Sequence, residues 1–224
     1  MGTVTLGKLD SLYWMGRYIE RVYQSISMYK ETYDKLIDQD AEYFVQECER
    51  MGMQNTFESS MDFAWKIAFD TANPLSIISN LYRVYDNAMI MRDEITSESL
   101  AYVHLALAEM KRGKTSEAPL MELQNVEDLI FAFWGCIDDK VDDQGVRNTI
   151  KIGKHIERLD ILLRRDADRS DLVREINRLM SRVDTTELPF NRQALLYTNA
   201  MIEDEDAEYE DIRKMVWDII PQFV

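Results

Sequence analysis

Glycine, proline and cysteine are scarce in this chain of 224 residues. Eight glycines and four prolines leave little for the tight turns of an all-β fold. The two cysteines, Cys48 and Cys136, are 88 positions apart and match neither a zinc-binding spacing nor a disulfide framework. We therefore expect reduced thiols and a helical chain that is long enough to bury one sizeable core.

Long apolar runs are also missing. The longest, Leu129 to Ile137, has nine residues, whereas a membrane-spanning helix needs roughly 20. No apolar stretch of signal-peptide length lies near the N-terminus, as a secreted protein would require. These absences predict a soluble, cytoplasmic protein that has no membrane partner.

Positive charge is in deficit. The 26 Lys and Arg face 41 Asp and Glu, which gives a formal net charge of -15. This deficit argues against nucleic acid and anionic membranes as partners, because both attract clustered Lys and Arg. Seven of the nine residues in Glu203 to Asp211, here called the acidic segment, are acids. Such a run is typical of a solvated surface or, alternatively, of a docking patch for a basic partner.

Signatures of catalysis are few. Neither histidine, His104 or His155, has a Glu three positions before it, which excludes the motif of a di-iron bundle. The chain also lacks a Gly-rich phosphate loop and a GxSxG motif, so we predict no catalytic residue set, no metal site and no cofactor. Asp138, Asp139 and Asp142 nevertheless fit the DDxxD pattern of magnesium-dependent prenyl-diphosphate enzymes, and that alternative stays open.

Apolar residues recur at three- and four-residue intervals, which is the period of an α-helix. In the first helix the recurring residues are Leu12, Met15, Ile19, Val22, Ile26, Tyr29 and Tyr33. The pattern and its capping signals predict an all-α, multi-helix bundle of eight to ten helices forming a single domain over residues 1–224. The predicted helices are Asp10 to Leu36, Ala41 to Met51, Ser59 to Asp70, Asn73-Pro74 to Ile95, Glu98 to Lys111, Pro119 to Val141, Val146 to Arg165, Asp171 to Arg182, Asn191 to Ile202 and Glu208 to Ile219. Gly145 is the expected break before the Val146 helix.

One helical segment is repeated. Residues 15–21 read MGRYIER and residues 152–158 read IGKHIER, a displacement of 137 positions. Measured from Gly16 and from Gly153, the following apolar residues occupy the same offsets in both copies. Two helices therefore present one pattern to a shared core, and we expect them to pack close together about an approximate twofold.

A glycine precedes a glutamate by four positions in each copy, so Gly16 lies one turn below Glu20 and Gly153 one turn below Glu157. Glycine within a helix costs about 1 kcal/mol relative to alanine, so its use in both copies indicates close helix approach or space for a partner of the carboxylate. Arg17 can reach Glu20 within its helix, and the opposite helix can supply its own Arg. The result would be a crossed Glu–Arg network, either structural or part of a ligand or partner site.

Three motifs together resemble the bacterial alpha-E domain, a helical family with a Glu-Arg motif. They lie at residues 12–21, 86–96 and 153–160, and the resemblance covers nearly the whole chain. It implies an all-α fold and a role beside circularly permuted ATP-grasp ligases, amidoligase systems or transglutaminase-like proteins that make or modify peptides. The residues that match, and that become candidates for binding a ligand or partner, are Arg17, Glu20, Arg21, Asn87, Arg92, Glu157 and Arg158, with Gly16 and Gly153 as close-packing glycines.

This chain departs from the family pattern at two places. Tyr85 and Met89 stand where the family usually has arginines, and Lys154-His155 stands where Arg-Tyr is typical. An anion site built on those arginines would be weaker here. We therefore favour a non-catalytic accessory protein that positions a protein partner, with oligomeric state left open. The alternatives are an enzyme of peptide or amide chemistry that uses the Glu–Arg cluster and the prenyl-diphosphate enzyme.

Overall fold

The computed structural model describes residues 5–37 and 43–220. Across these residues the chain forms ten helices and no strand, which confirms the all-α prediction and the expected helix number. The helices are α1 (Leu6–Ile37), α2 (Tyr43–Met51), α3 (Ser60–Phe69), α4 (Ile77–Ile90), α5 (Ser97–Gly113), α6 (Pro119–Lys140), α7 (Gln144–Arg164), α8 (Arg169–Val183), α9 (Arg192–Glu203) and α10 (Tyr209–Ile219).

Several helix starts follow from side-chain capping as the sequence predicts. The hydroxyls of Ser59 and Thr96 accept hydrogen bonds from backbone amides in the first turns of α3 and α5. Asn191 caps α9 in the same way. Each cap satisfies an amide that has no partner inside its helix. Gly52, just after α2, has a φ of 64°, the left-handed conformation that favours glycine at a helix end.

Several predicted boundaries differ from the structure: α1 begins at Leu6 and not at Asp10, and α4 ends at Ile90 and not at Ile95. Two of the predicted boundary signals are also wrong. Asn73 does not cap a helix, because its side chain accepts from the Leu75 amide and closes a local turn. Ser76 is the cap instead, and α4 begins at Ile77. Gly145 is not a break either: the side chain of Asp143 accepts from the Val146 amide and starts α7 at Gln144, so the glycine lies in the first helical turn.

The chain divides into two compact units. The first unit contains residues 1–20 and 140–224, and the second contains residues 21–139. Helix α1 begins in the first unit and ends in the second. The single domain expected over residues 1–224 stays a prediction.

The first unit packs the start of α1 with α7 to α10. Its core buries Leu9 and Tyr13 against apolar stripes of these four helices; the stripes include Ile152, Ile156, Leu159, Leu172, Ile176, Leu179, Leu195, Ile202, Ile212 and Val216. Helices α7 and α8 are antiparallel, because Asn148 contacts Thr185 while His155 contacts Glu175. This packing positions the second copy of the repeat beside the first.

The second unit contains the remainder of α1 and helices α2 to α6 up to Asp139. Most of its buried residues are apolar and spaced at helical intervals, as in Ile77, Leu81 and Val84 on α4. The buried thiols Cys48 and Cys136 are free, as the spacing predicts. Over the described part of both units, no helix has the length and apolarity to cross a lipid bilayer.

Candidate functional site

The two repeat copies meet at their glycines. A Cβ atom added to Gly16 would lie 1.9 Å from the carbonyl oxygen of Ile150, and one added to Gly153 would lie 2.1 Å from that of Tyr13. Ile150 precedes Gly153 by three positions and Tyr13 precedes Gly16 by three, so the contact is reciprocal. The prediction of close packing about an approximate twofold is confirmed.

Two ion pairs cross between these helices. The Nε of Arg17 donates to Oε2 of Glu157 at 2.8 Å, and the Nε of Arg158 donates to Oε1 of Glu20 at 2.7 Å. The side chains of Arg17, Glu20 and Glu157 are at most 2% exposed, whereas that of Arg158 is 23% exposed. The predicted crossed network is therefore present, and three of its four members lie inside the protein.

Arg17 lies among aromatic rings. Its guanidinium carbon is 4.3 Å from the ring centre of Trp217 and 5.1 Å from that of Trp14. These distances are typical of cation–π contacts, which stabilise a desolvated guanidinium. The indole of Trp217 donates to Asp160 at 3.1 Å, which fixes the ring over Arg17. Trp217 and Asp160 thus join the two ion pairs in one group of contacts, here called the ion-pair cluster. The sequence patterns did not single out either residue.

Glu175 on α8 is a second centre of the cluster. Its Oε1 is 2.5 Å from Nδ1 of His155, and its Oε2 lies 3.2 Å from Arg178 and 3.9 Å from Arg158. Burial acts to raise the pKa of Glu175, but the hydrogen bond to His155 and the two arginines outweigh it and leave that pKa below its ordinary value. The carboxylate is therefore ionised at neutral pH.

The two residues that depart from the repeat lie in this cluster. Lys154 takes the place of Arg17, and His155 takes the place of Tyr18. Burial lowers the pKa of Lys154 to about 8, assisted by Arg158 and Lys151 and opposed by Glu20 and Glu175. A lysine with this pKa is partly neutral near physiological pH. The substitution therefore changes the charge balance around Glu20 and Glu175.

The other candidate residues belong to the second unit. Arg21 begins the second unit and is half-buried. Asn87, on α4, is also half-buried, and Arg92 follows α4 in a turn with 65% of its side chain exposed, 3.8 Å from Asp93. The structure therefore assembles Arg17, Glu20, Glu157 and Arg158 within the first unit. A binding role for any of the seven candidates stays a prediction.

Few features of the sequence point to Glu175. It occurs beside the apolar stripe of Leu172, Ile176 and Leu179 on α8, where an acid next to buried positions is a weak signal for a buried carboxylate. Nothing in the sequence connects it with His155, which is 20 positions earlier and on another helix. Only the packing of α7 against α8 identifies the pair.

The DDxxD pattern does not form one helix face. Helix α6 ends at Lys140, and Asp142 lies in the connection before α7, so the three carboxylates do not share the i, i+4 geometry that the pattern requires. Within the described ranges, no group of three or more His, Cys, Asp or Glu has a geometry suited to a metal ion. The structural premise of the prenyl-diphosphate alternative is therefore wrong.

The acidic segment follows α9 and leads into α10. Arg169 donates to the backbone carbonyls of Met201 and Ile202 and so holds the end of α9. The acids of the first part of the segment are exposed; they are Glu203, Asp204, Glu205, Asp206 and Glu208. Its last two acids contact bases one turn later, Glu210 with Arg213 and Asp211 with Lys214.

An open apolar groove lies on the exposed face of α9, directly before the acidic segment. It has a volume of about 580 Å³ and is lined by Arg192, Gln193, Leu196, Tyr197 and Ala200. Leu196 and Tyr197 are 53% and 56% exposed. An exposed pair of large apolar side chains beside a charged run is typical of a protein-binding surface.

Comparison with known proteins gives one match. The model of the Alpha-E family, described as a predicted alpha-helical domain with a conserved ER motif, matches residues 8–188. The Glu20-Arg21 and Glu157-Arg158 dipeptides are the two copies of that motif in the repeat. No curated protein and no solved structure matches the chain.

Proposed function

We propose that this chain, which belongs to the Alpha-E family, is a helical accessory protein that positions a protein partner. The partner class follows from the family resemblance: an ATP-grasp amidoligase or a transglutaminase-like protein of a bacterial system that makes or modifies peptides. The proposal includes a cytoplasmic location, which the two buried free thiols support, because reduced cysteines are usual in that compartment.

The crossed ion pairs carry this proposal. Arg17 and Glu157 are at most 2% exposed and bind each other, and Glu20 is buried against Arg158. A catalytic acid or base must reach a proton of the substrate, whereas these groups bind across the contact between two helices. Buried ion pairs that join two helices instead fix the register of those helices. The Glu–Arg motif therefore supports a framework whose binding surface lies elsewhere.

The acidic segment together with the α9 groove is the surface that we assign to the partner. The segment presents exposed carboxylates and the groove presents Leu196 and Tyr197, so the matching surface is basic with an apolar anchor. The net charge of -15 would steer such a partner toward the protein and repel acidic ones.

Binding to purified candidates tests this function. A circularly permuted ATP-grasp ligase and a transglutaminase-like protein from the same source would each be titrated with the full chain by calorimetry, at low and high salt. We expect one of them to bind, with an affinity that falls as salt increases, because salt screens exposed charges. Replacing Tyr197 with Ser should weaken the complex, since aromatic anchors often dominate interfaces.

A matched pair of charge variants localises the interface. One variant neutralises four acids of the acidic segment, namely Glu203, Glu205, Asp206 and Glu208. The control neutralises four exposed acids elsewhere and changes the net charge equally; these are Glu117, Asp128, Asp139 and Asp142. The proposal predicts weaker binding only for the first. Equal effects would contradict the assigned surface, and turnover of ATP or a peptide by the isolated chain at about 1 to 1000 per second would contradict the accessory role.

A further inference from the structure

Basic side chains gather along the contact between α7 and α8. Lys151, Lys154 and Arg158 follow one face of α7 at helical spacing, and Arg178 and Arg182 are one turn apart on α8. The contacts Asn148–Thr185 and His155–Glu175 fix the antiparallel alignment of the two helices. Lys151 and Lys154 lie between these contacts on α7, and Arg178 and Arg182 lie between them on α8. We call these five residues the basic cluster.

One carboxylate serves several bases of the cluster region. Glu175 contacts Arg158 and Arg178 through one oxygen and His155 through the other, and Arg158 also contacts Glu20. Two guanidinium groups on one carboxylate oxygen leave local positive charge, in a protein whose net charge is -15. Such a local excess against the overall charge creates a positive potential that attracts anions.

The charges of the cluster also act on one another. Burial, together with the charges of Arg158 and Lys151, lowers the pKa of Lys154 to about 8 against the opposing effect of Glu20 and Glu175. Burial also lowers the pKa of His155, as do Arg182 and Arg158, against the hydrogen bond to Glu175. An additional anion at this place would relieve the repulsion that both groups experience.

Two arginines of the cluster are partly exposed and approach one carboxylate oxygen. Arg158 and Arg178 approach the same oxygen of Glu175, while 23% and 48% of their side chains stay exposed. Among the described residues, the buried Nε2 of His155 and Nε of Arg182 have no hydrogen-bond partner. The arrangement thus combines partly exposed guanidinium groups with polar atoms whose hydrogen bonds are incomplete.

We propose that the basic cluster binds the phosphate group of a small molecule. The planar guanidinium group of arginine carries paired N–H donors whose geometry matches the oxygens of a phosphate. A phosphate carries about -1.5 to -2 charges at neutral pH, so it offsets the excess better than a carboxylate does. This site goes beyond the accessory function, since it lies on α7 and α8 and not at the acidic segment. The two proposals can fail independently.

Titration with inorganic phosphate, AMP and adenosine tests the site. Binding to the full chain would be followed at pH 8 by calorimetry and by NMR of the lysine side chains, with ionic strength held constant by NaCl. We expect saturable binding of phosphate and AMP but not of adenosine. Phosphate should also raise the pKa of Lys154, so binding should take up protons, which calorimetry in two buffers of different ionisation enthalpy detects.

Two arginine variants decide whether the cluster is responsible. Arg178→Gln removes a 48% exposed side chain of the cluster, so the protein should still fold. We expect it to weaken phosphate binding about tenfold or more, as loss of a charge-assisted hydrogen bond predicts. The control, Arg112→Gln, removes an equal charge from α5, where the side chain is 65% exposed, and should leave phosphate binding unchanged.

Each possible result either supports or overturns the phosphate site. Tighter binding of AMP than of inorganic phosphate identifies a phosphate monoester as the natural source, and equal affinities identify free phosphate; either supports the site. Shifts that increase linearly without saturation overturn it, and so does an equal loss of affinity in the two arginine variants. Saturable binding without proton uptake would also overturn it, because Lys154 would then lie away from the anion.

Discussion

At the scale of single residues, Glu157 is the glutamate of the ion-pair cluster whose removal should cost the most stability. Its carboxylate accepts from Arg17, and both side chains are at most 2% exposed. Glu20 is equally buried, but its partner Arg158 keeps 23% of its side chain exposed and also lies 3.9 Å from Glu175. The two glutamates occupy equivalent positions in the repeat, yet the consequences of removing them should differ.

We predict that Glu157→Gln lowers the free energy of unfolding by about 3 to 5 kcal/mol, because it leaves the guanidinium of Arg17 buried without a counter-charge. Glu20→Gln should cost about 1 to 3 kcal/mol, since water and Glu175 still solvate Arg158. Urea melts of both variants measure these losses. The exposed Glu205 provides the control, for which Glu205→Gln should change stability by less than about 0.5 kcal/mol. Three equally small losses would show that the pairs do not hold the helices.

The two histidines allow a matched test of pH dependence. Burial lowers the pKa of His155 below its ordinary value of 6.5, so between that value and the lower folded pKa the unfolded chain binds more protons than the folded one. The free energy of unfolding should therefore fall as pH drops through 6.5. His155→Gln should flatten this dependence, as measured by urea melts between about pH 5 and 8.

The control is the exposed His104, whose ring lies 4.8 Å from that of Tyr85. His104→Gln should retain the full loss of stability on acidification. The lowered pKa of Glu175 acts in a separate window, because its contribution is lost only as pH falls below its ordinary value of 4.5. A pH profile that is identical in the two histidine variants would show that His155 does not carry the effect.

At the scale of helices, the close approach of α1 and α7 depends on two missing methyl groups. A Cβ at either glycine would contact the backbone carbonyl of the facing helix, which cannot rotate away as a side chain can. The helices would have to separate, and the crossed ion pairs and the adjacent apolar contacts would lengthen with them.

Gly16→Ala and Gly153→Ala should each lower the free energy of unfolding by about 1 to 3 kcal/mol, although alanine is the better helix former. Gly135, inside α6, has no atom within 4 Å of the position of its missing Cβ. Gly135→Ala should therefore stabilise the protein by up to about 1 kcal/mol. Thermal melts compare the three variants. Stabilisation by all three would mean that the repeat helices are farther apart than the contact distances show.

Some helix starts were predictable from the sequence. The predicted starts Glu98 and Asn191 lie within one residue of the observed starts of α5 and α9, which Thr96 and Asn191 cap. Asn73-Pro74 failed because Ser76, three residues after Asn73, also caps well and Asn73 closes a turn of its own. Gly145 failed because the Asp143 cap holds the first turn of α7 around it. Local sequence signals thus predict the wrong helix start where two possible signals lie within a few residues of each other.

At the scale of the whole molecule, charge is unevenly distributed. The acidic segment follows from the sequence alone, because its acids are consecutive. The basic cluster does not, because its members are separated on two helices and join only when α7 packs antiparallel to α8. A net charge of -15 therefore coexists with a positive region, and an argument from total charge alone would miss it.

The sequence by itself determined the helical class and the repeat, because both can be recognised from residue spacing along the chain, and it predicted close contact at the repeat glycines. It also predicted that glutamate and arginine would cross between the copies. Only the tertiary structure decided that Arg17 pairs with Glu157 across 140 positions and that Arg158 pairs with Glu20 across 138. It also decided that Glu175 joins His155 and that Trp217 covers Arg17. These contacts depend on the rotation and distance of helices that are remote in sequence, which local periodicity does not specify.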